Sequence, residues 1–186
     1  MREELAMKRI FLLLSLLFFC VSSFSDKSSI YEVKTTWKDQ NSKEIRMADF
    51  KGHPIVLTMV YTSCPHACPM MVSRIRDIKK EFEQEGIFDV KYVLASFDVE
   101  NDTPEHLKSY MNKRKLDDSS WTFLSAKNES AARELSVVLG INFKKLSDGN
   151  FSHSNVITLI DDQGHIVARI DKLSANTSHF KSALKK

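Results

Sequence analysis

Cys64-Pro65-His66-Ala67-Cys68-Pro69 holds two of the three cysteines in this chain of 186 residues. If that turn is helical, thiols four positions apart share one face. Their Cα atoms are then ~6 Å apart, close enough for a disulfide or for gripping one metal ion. A helix N-terminus also favours thiolate over thiol. The plain alternative is a pair of core cysteines, since Cys is among the most buried residue types. A disulfide here closes too short a loop to staple a fold, so the thiols read as a redox couple or a soft-metal site. A third ligand decides between the two. Thiolates with an imidazole suit Cu(I) or Zn(II), and structural zinc wants four ligands. His153 is the favoured third ligand, although a distant His reads by spacing alone as a surface residue. It follows the polar, turn-forming stretch Ser147–Ser152 and precedes a buried strand, so a loop there can fold over the thiols. His66 is a local alternative. His53, His106, His165 and His179 are scattered and read as surface residues. Met71 belongs to an apolar stripe, whereas Met70 is a soft side chain beside the thiols.

The apolar pattern supplies the elements that must position these groups. Ile55 to Tyr61 is a continuous, β-branched apolar run bounded by Pro54 and Ser63, which predicts a buried strand. From Pro69 the period changes: Met71, Ile75, Ile78 and Phe82 form the stripe of an amphipathic helix ending near Gly86. The cysteines therefore occupy the loop leaving the carboxyl end of a buried strand, where α/β folds place their sites. Val90 to Phe97 is a second buried strand. Thr103 caps a helix with Pro104 at its first position. Trp121 to Leu124 is a short strand, and Asn128 to Leu139 a helix closed by Gly140. Asn155 to Ile160 and Ile166 to Ile170 flank a turn at Asp161-Asp162-Gln163-Gly164, a hairpin. Ile30 to Thr36 alternates and reads as a strand, Met47 to Pro54 as a turn region, and Ser174 to the end as a helix. The pattern predicts an α/β three-layer fold, a central mixed sheet flanked by helices.

Residues 1–25 read as an export segment. Arg2, Lys8 and Arg9 precede the apolar run Ile10 to Val21, and Ser23 and Ser25 suit cleavage before Asp26. The run is shorter than the ~20 residues of a spanning helix. It acts as a cleaved signal, an uncleaved anchor or a lipoprotein signal at Cys20, where Phe19 is larger than the small residue that lipidation prefers. Each choice places residues 26–186, read as one domain, outside the cytoplasm. In an oxidising compartment close thiols form a disulfide, a redox couple or a soft-metal site. Five Gly and four Pro exclude collagen-like and low-complexity classes. A net charge of +3 without a dense Lys/Arg stripe argues against a nucleic-acid partner.

Val60-Tyr61-Thr62-Ser63-Cys64-Pro65-His66-Ala67-Cys68-Pro69 resembles the Tyr-Thr-x-Cys-Pro-x-x-Cys-Pro motif of the SCO/SenC family. Ser96 to Glu105 resembles that family's second signature, Ser-x-Asp-Pro-x-x-Asp-Thr-Pro-Glu. His153, shortly before Val156 to Asp161, matches the copper-binding His that precedes the last hairpin. The likeness spans roughly residues 30–186. It implies a thioredoxin-like fold and a copper ion, Cu(I) and/or Cu(II), held by Cys64, Cys68 and His153. It further implies a membrane-tethered chaperone, in bacteria a periplasmic one. Such a chaperone receives copper from a donor protein and delivers it to the cytochrome c oxidase subunit carrying the binuclear copper site. The competing reading is a thiol-disulfide oxidoreductase. Cys64 attacks a disulfide of an exported partner and Cys68 resolves the mixed disulfide. Disulfide exchange does not need His153, so that residue separates the readings.

The chain departs from the family pattern at three places. Ser152 stands where the family has Asp, His66 where it has an acidic residue, and Val99 where it has Pro. Losing a carboxylate weakens Cu(II) more than Cu(I), because carboxylates are harder ligands, and the His66 imidazole is placed to offset that loss. Asp98 ends the second strand near the expected site and is a candidate to orient its ligands. Glu105 suits the first turn of a helix.

Overall fold

The apolar run after Pro54 has nowhere to expose a face, and it forms a strand whose six residues, Ile55–Val60, are all buried. A computed structural model describes residues 29–117 and 119–184. The expected export segment, with Cys20 and the expected cleavage position, lies outside the described residues. In chain order the strands are β1 (Trp37–Asp39), β2 (Glu44–Ile45), β3 (Ile55–Val60), β4 (Lys91–Ser96), β5 (Trp121–Ala126), β6 (Phe143–Lys145), β7 (Phe151–His153), β8 (Ile157–Ile160) and β9 (Ile166–Ile170). The helices are α1 (Ala67–Gln84), α2 (Pro104–Lys113), α3 (Glu129–Leu139) and α4 (Ser178–Leu184). Seven strands form one mixed sheet in the order β2-β1-β5-β4-β3-β8-β9, and β6 and β7 form a separate two-stranded ribbon. The fold is α/β, a mixed central sheet with helices packed on it, as the pattern predicts.

Two pairings position the site. β3 and β4 run parallel, with Val60 opposite Ser96, so their carboxyl ends lie side by side. β8 runs antiparallel to β3, with Thr58 opposite Ile157, so the chain enters β8 at that same end. The Thr58 hydroxyl donates to the Val156 carbonyl at 2.7 Å and pins this entry. The segment before β8, which carries His153, therefore arrives beside the loop that leaves β3.

The helix signals act as read. Thr103 Oγ accepts from the His106 N–H at the start of α2, and Asn128 Oδ1 from the Ala131 N–H at the start of α3. Gly140 closes α3 at φ +61, left-handed backbone that glycine adopts without strain. Two expectations need correction. Ile30–Thr36 is not a strand: Ile30–Glu32 is a single 3-10 turn, and the strand falls at Trp37–Asp39. Ile30 and Val33, the buried pair, are three apart, which suits a 3-10 turn. The Ile30 N–H bonds the Gly164 carbonyl at 2.8 Å, anchoring this turn on the β8–β9 loop. A Cβ on Gly164 would meet Ser29 Oγ at 2.2 Å, so only glycine permits that approach. The Met47–Pro54 stretch contains a further 3-10 turn, Met47–Phe50. The last helix starts at Ser178 rather than Ser174, after Thr177 Oγ1 has donated to Glu81 at 2.6 Å.

Candidate metal centre

β3 delivers Tyr61 to the end of the sheet, and the chain then turns into α1. Cys64 lies in this turn, outside the helix, with its N–H bonded to the Tyr61 carbonyl at 3.3 Å. Cys68 is the second residue of α1 and Pro69 the third, a position where the missing N–H breaks no helical bond. The two thiols meet because the Cys68 N–H donates to Cys64 Sγ at 3.4 Å. Neither is in a disulfide.

The sulfurs are unequal. Burial raises the Cys64 thiol, but the N–H groups of Cys68 and His66, the Cys68 thiol and the Tyr61 hydroxyl together hold it below the ordinary thiol value. Cys68 is 1% exposed, against 7% for Cys64, and its burial pushes that thiol far up, with the Cys64 thiolate adding to the rise. The Tyr61 ring is buried and its hydroxyl stays neutral, raised mainly by desolvation while the Phe151 backbone bonds its oxygen.

His153 comes from the far side of the cleft as the last residue of β7. The sequence places it in a loop; the structure gives it a hairpin arm. Phe143 pairs with His153 across the arm. Phe143 also stacks on Phe97 with ring centroids 4.8 Å apart and planes at 10°. The imidazole lies between the Tyr61 ring, edge-on at 5.7 Å, and the Phe97 ring at 5.3 Å. Its Nδ1 lies 3.2 Å from the Ser154 carbonyl. A proton on Nδ1 satisfies that bond and leaves a lone pair on Nε2. Nε2 faces Cys68 Sγ at 3.9 Å. Among the described residues, Cys64, Cys68 and His153 form a group whose ligand atoms all lie within 4.8 Å of one another. Two soft sulfurs and one imidazole nitrogen at this spacing fit a soft ion such as Cu(I) and are one ligand short of a structural zinc site.

The other histidines stay out of this group. His66 is exposed on the cleft rim. His53 and His165 pair with Asp89 and Asp161. His106 and His179 are exposed. Met71 is fully buried, while Met70 is 54% exposed just beyond the thiols. The carboxylates trade roles relative to expectation. Asp98 turns onto its own loop, accepting from the Glu100 and Asn101 N–H groups and from Asn101 Nδ2 at 2.9–3.3 Å. Asp102 is the carboxylate that reaches the cysteine loop. Buried, it accepts from the Thr62 N–H at 3.0 Å, from Ser96 Oγ at 2.5 Å and from the Thr62 hydroxyl. Its place just before the Thr103 cap was the available signal, but nothing in the sequence pairs it with Thr62. Glu105 is exposed in the first turn of α2, as expected of a residue that favours a helix start.

The SCO1/SenC family profile matches residues 28–186. The chain belongs to the SCO1/SenC family. A SCO1 homologue of Bacillus subtilis strain 168 is 31% identical over 108 residues, 58% of this chain and 55% of that protein. The chain spans less than two thirds of the length of the curated relatives it matches first. Among SCO1/SenC neighbours of known structure, Bradyrhizobium japonicum ScoI with copper bound is 25% identical, with a TM-score of 0.66 over 81% of this chain and 95% of that one. BsSco, described with a disulfide switch and as a member of the Sco family of cytochrome c oxidase assembly proteins, is 26% identical. Its TM-score is 0.68 over 84% of this chain and 95% of that one.

Proposed function

We propose that this protein is an exported, membrane-tethered copper chaperone. Cys64 and Cys68 thiolates and the His153 imidazole hold the ion, which passes by ligand exchange to the binuclear copper site of a cytochrome c oxidase subunit. The observation that carries the reading is the trio itself, brought within 4.8 Å from two separate parts of the chain. The copper-bound ScoI neighbour supports the ion, and the BsSco neighbour supports the oxidase as destination. A cleft of about 370 Å³ beside Cys64, His66 and His153 leaves room for a donor or acceptor protein's ligands. The test is a titration of reduced apoprotein with Cu(I) against a competing chelator. One tightly held equivalent is expected, lost in Cys64→Ser and Cys68→Ser and weakened in His153→Ala by at least the roughly 10-fold that losing an outer-shell partner of a ligand costs.

One observation favours a second use of the same thiols. Cys64 is held below the ordinary thiol value with Cys68 behind it, which is the arrangement of an attacking and a resolving cysteine. Absence of Cu(I) binding, together with rapid reduction of a partner disulfide that His153→Ala leaves intact, overturns the chaperone in favour of the oxidoreductase.

A further inference from the structure

Asn155 lies two positions beyond His153, in the wall of the same cleft as Cys64 and His153. Its neighbours hold it there: the Ser154 N–H bonds the Asn142 carbonyl at 2.9 Å, and the Val156 carbonyl accepts from Thr58 at 2.7 Å. Asn155 Oδ1 is buried and has no hydrogen-bond partner among the described residues. Native interiors keep few such acceptors, and each asks for an explanation. Of the orphaned side-chain atoms among the described residues, this one alone belongs to a residue lining the cleft. Other polar residues of the cleft wall are spoken for or turned outward. Asn150 Nδ2 is bonded to Asp148, and Ser152, at the position where the family has Asp, is exposed.

We propose that Asn155 Oδ1 is a fourth donor of this centre, one that engages copper as Cu(II) and is dispensable for Cu(I). The inference rests on the copper reading of Cys64, Cys68 and His153. Two thiolates and an imidazole satisfy a soft Cu(I) ion. Cu(II) is harder and prefers a tetragonal set that includes nitrogen and oxygen. With Ser152 in place of the acidic residue, the unpartnered amide oxygen of Asn155, a residue of the cleft wall, is the donor that completes such a set. Asn155 thereby sets the preference between the two oxidation states.

Native chain, Asn155→Leu and Asn155→Asp are each loaded with Cu(I) and with Cu(II). Affinities come from chelator competition and the Cu(II) ligand field from electron paramagnetic resonance. Asn155→Leu is expected to lose about tenfold in Cu(II) affinity, with a changed copper hyperfine splitting and unchanged Cu(I) affinity. Asn155→Asp is expected to bind Cu(II) more tightly than the native chain, because a carboxylate is the harder ligand. Unchanged Cu(I) binding also reports that the variants are folded. An Asn155→Leu spectrum and Cu(II) affinity identical to native overturn the proposal while leaving the copper reading intact. Equal losses for both ions overturn it as well, by showing a structural role only. Failure of the native chain to bind either ion overturns the copper reading and this proposal together.

Discussion

Cys64 and Cys68 are identical in chemistry and differ only in what surrounds them. Cys64 sits where backbone N–H groups converge, and Cys68 points into the core under a desolvating layer. Tyr61 touches both, its hydroxyl bonding Cys64 and its backbone bonding Cys68. The Cys64 thiolate therefore persists to lower pH than an ordinary thiol, while Cys68 stays protonated into strongly alkaline solution. Alkylation of the reduced apoprotein, followed by peptide mapping, is expected to label Cys64 first, with a rate that reaches half its maximum below the ordinary thiol pKa. Tyr61→Phe deletes a hydroxyl that lowers the Cys64 thiol, so its pH profile moves to higher pH and the labelling slows at neutral pH. An unshifted profile rejects this role for Tyr61. The thiols were legible as candidates because type and spacing alone mark them, and His153 because it stands in a polar stretch before a buried strand and matches the family's copper-binding His. Tyr61 and Asp102 were not, because their importance depends on which strand ends lie side by side. Asp98 carries the more conspicuous position, two residues beyond β4, yet its carboxylate is consumed by its own turn.

The β6–β7 arm is the element on which the position of His153 depends. It has three residues per strand and makes its own small sheet apart from the central one. A two-stranded ribbon of that size is not stable by itself. Packing holds it: Phe143 stacks on Phe97, the Arg133 guanidinium lies 4.6 Å over the Phe143 ring, and Phe151 sits against Tyr61 at 5.1 Å. The Lys145–Glu100 ion pair is exposed, and exposed pairs add little. Phe143→Leu keeps most of the volume but forfeits the stacking, worth about 0.5–1.5 kcal/mol. Amide hydrogen exchange is expected to quicken over Phe151–His153 while β3, β4 and β5 keep their protection. Uniform loss of protection throughout the sheet would mean that the arm is not an independent unit. Its strands escaped the sequence reading because Lys144, Lys145 and Ser152 present polar side chains, leaving only isolated aromatics as signal. The β8–β9 hairpin was legible because its apolar strands flank an Asp-Gln-Gly turn.

At the scale of the whole molecule, Asp102 ties the two central strand ends together through Ser96 and Thr62. Burial raises its carboxyl above the ordinary carboxylate value, against the lowering effect of those bonds. The folded state thus holds this proton more tightly than the unfolded state. The resulting stability is fully present below the ordinary carboxylate pKa and is lost as pH rises through the folded value. In Asp102→Asn that pH-dependent loss disappears. The amide nitrogen cannot accept from Thr62 or Ser96, so the variant is also less stable by about 1–3 kcal/mol. Urea midpoints from about pH 4 to about pH 7 are expected to decline less with pH in Asp102→Asn than in the native chain. Parallel declines would reject the buried carboxyl as their source. The chain's own pattern determined the α/β class, the central strands, the helix caps and the close pair of thiols, because these follow from local periodicity, from side-chain capping and from residues four apart. Only the tertiary structure decided that His153 meets them. It lies 85 positions from Cys68, and no local rule spans that interval. The antiparallel polarity of β8 against β3 brings the two together, since it returns the chain to the carboxyl end of the strand from which the cysteine loop departs.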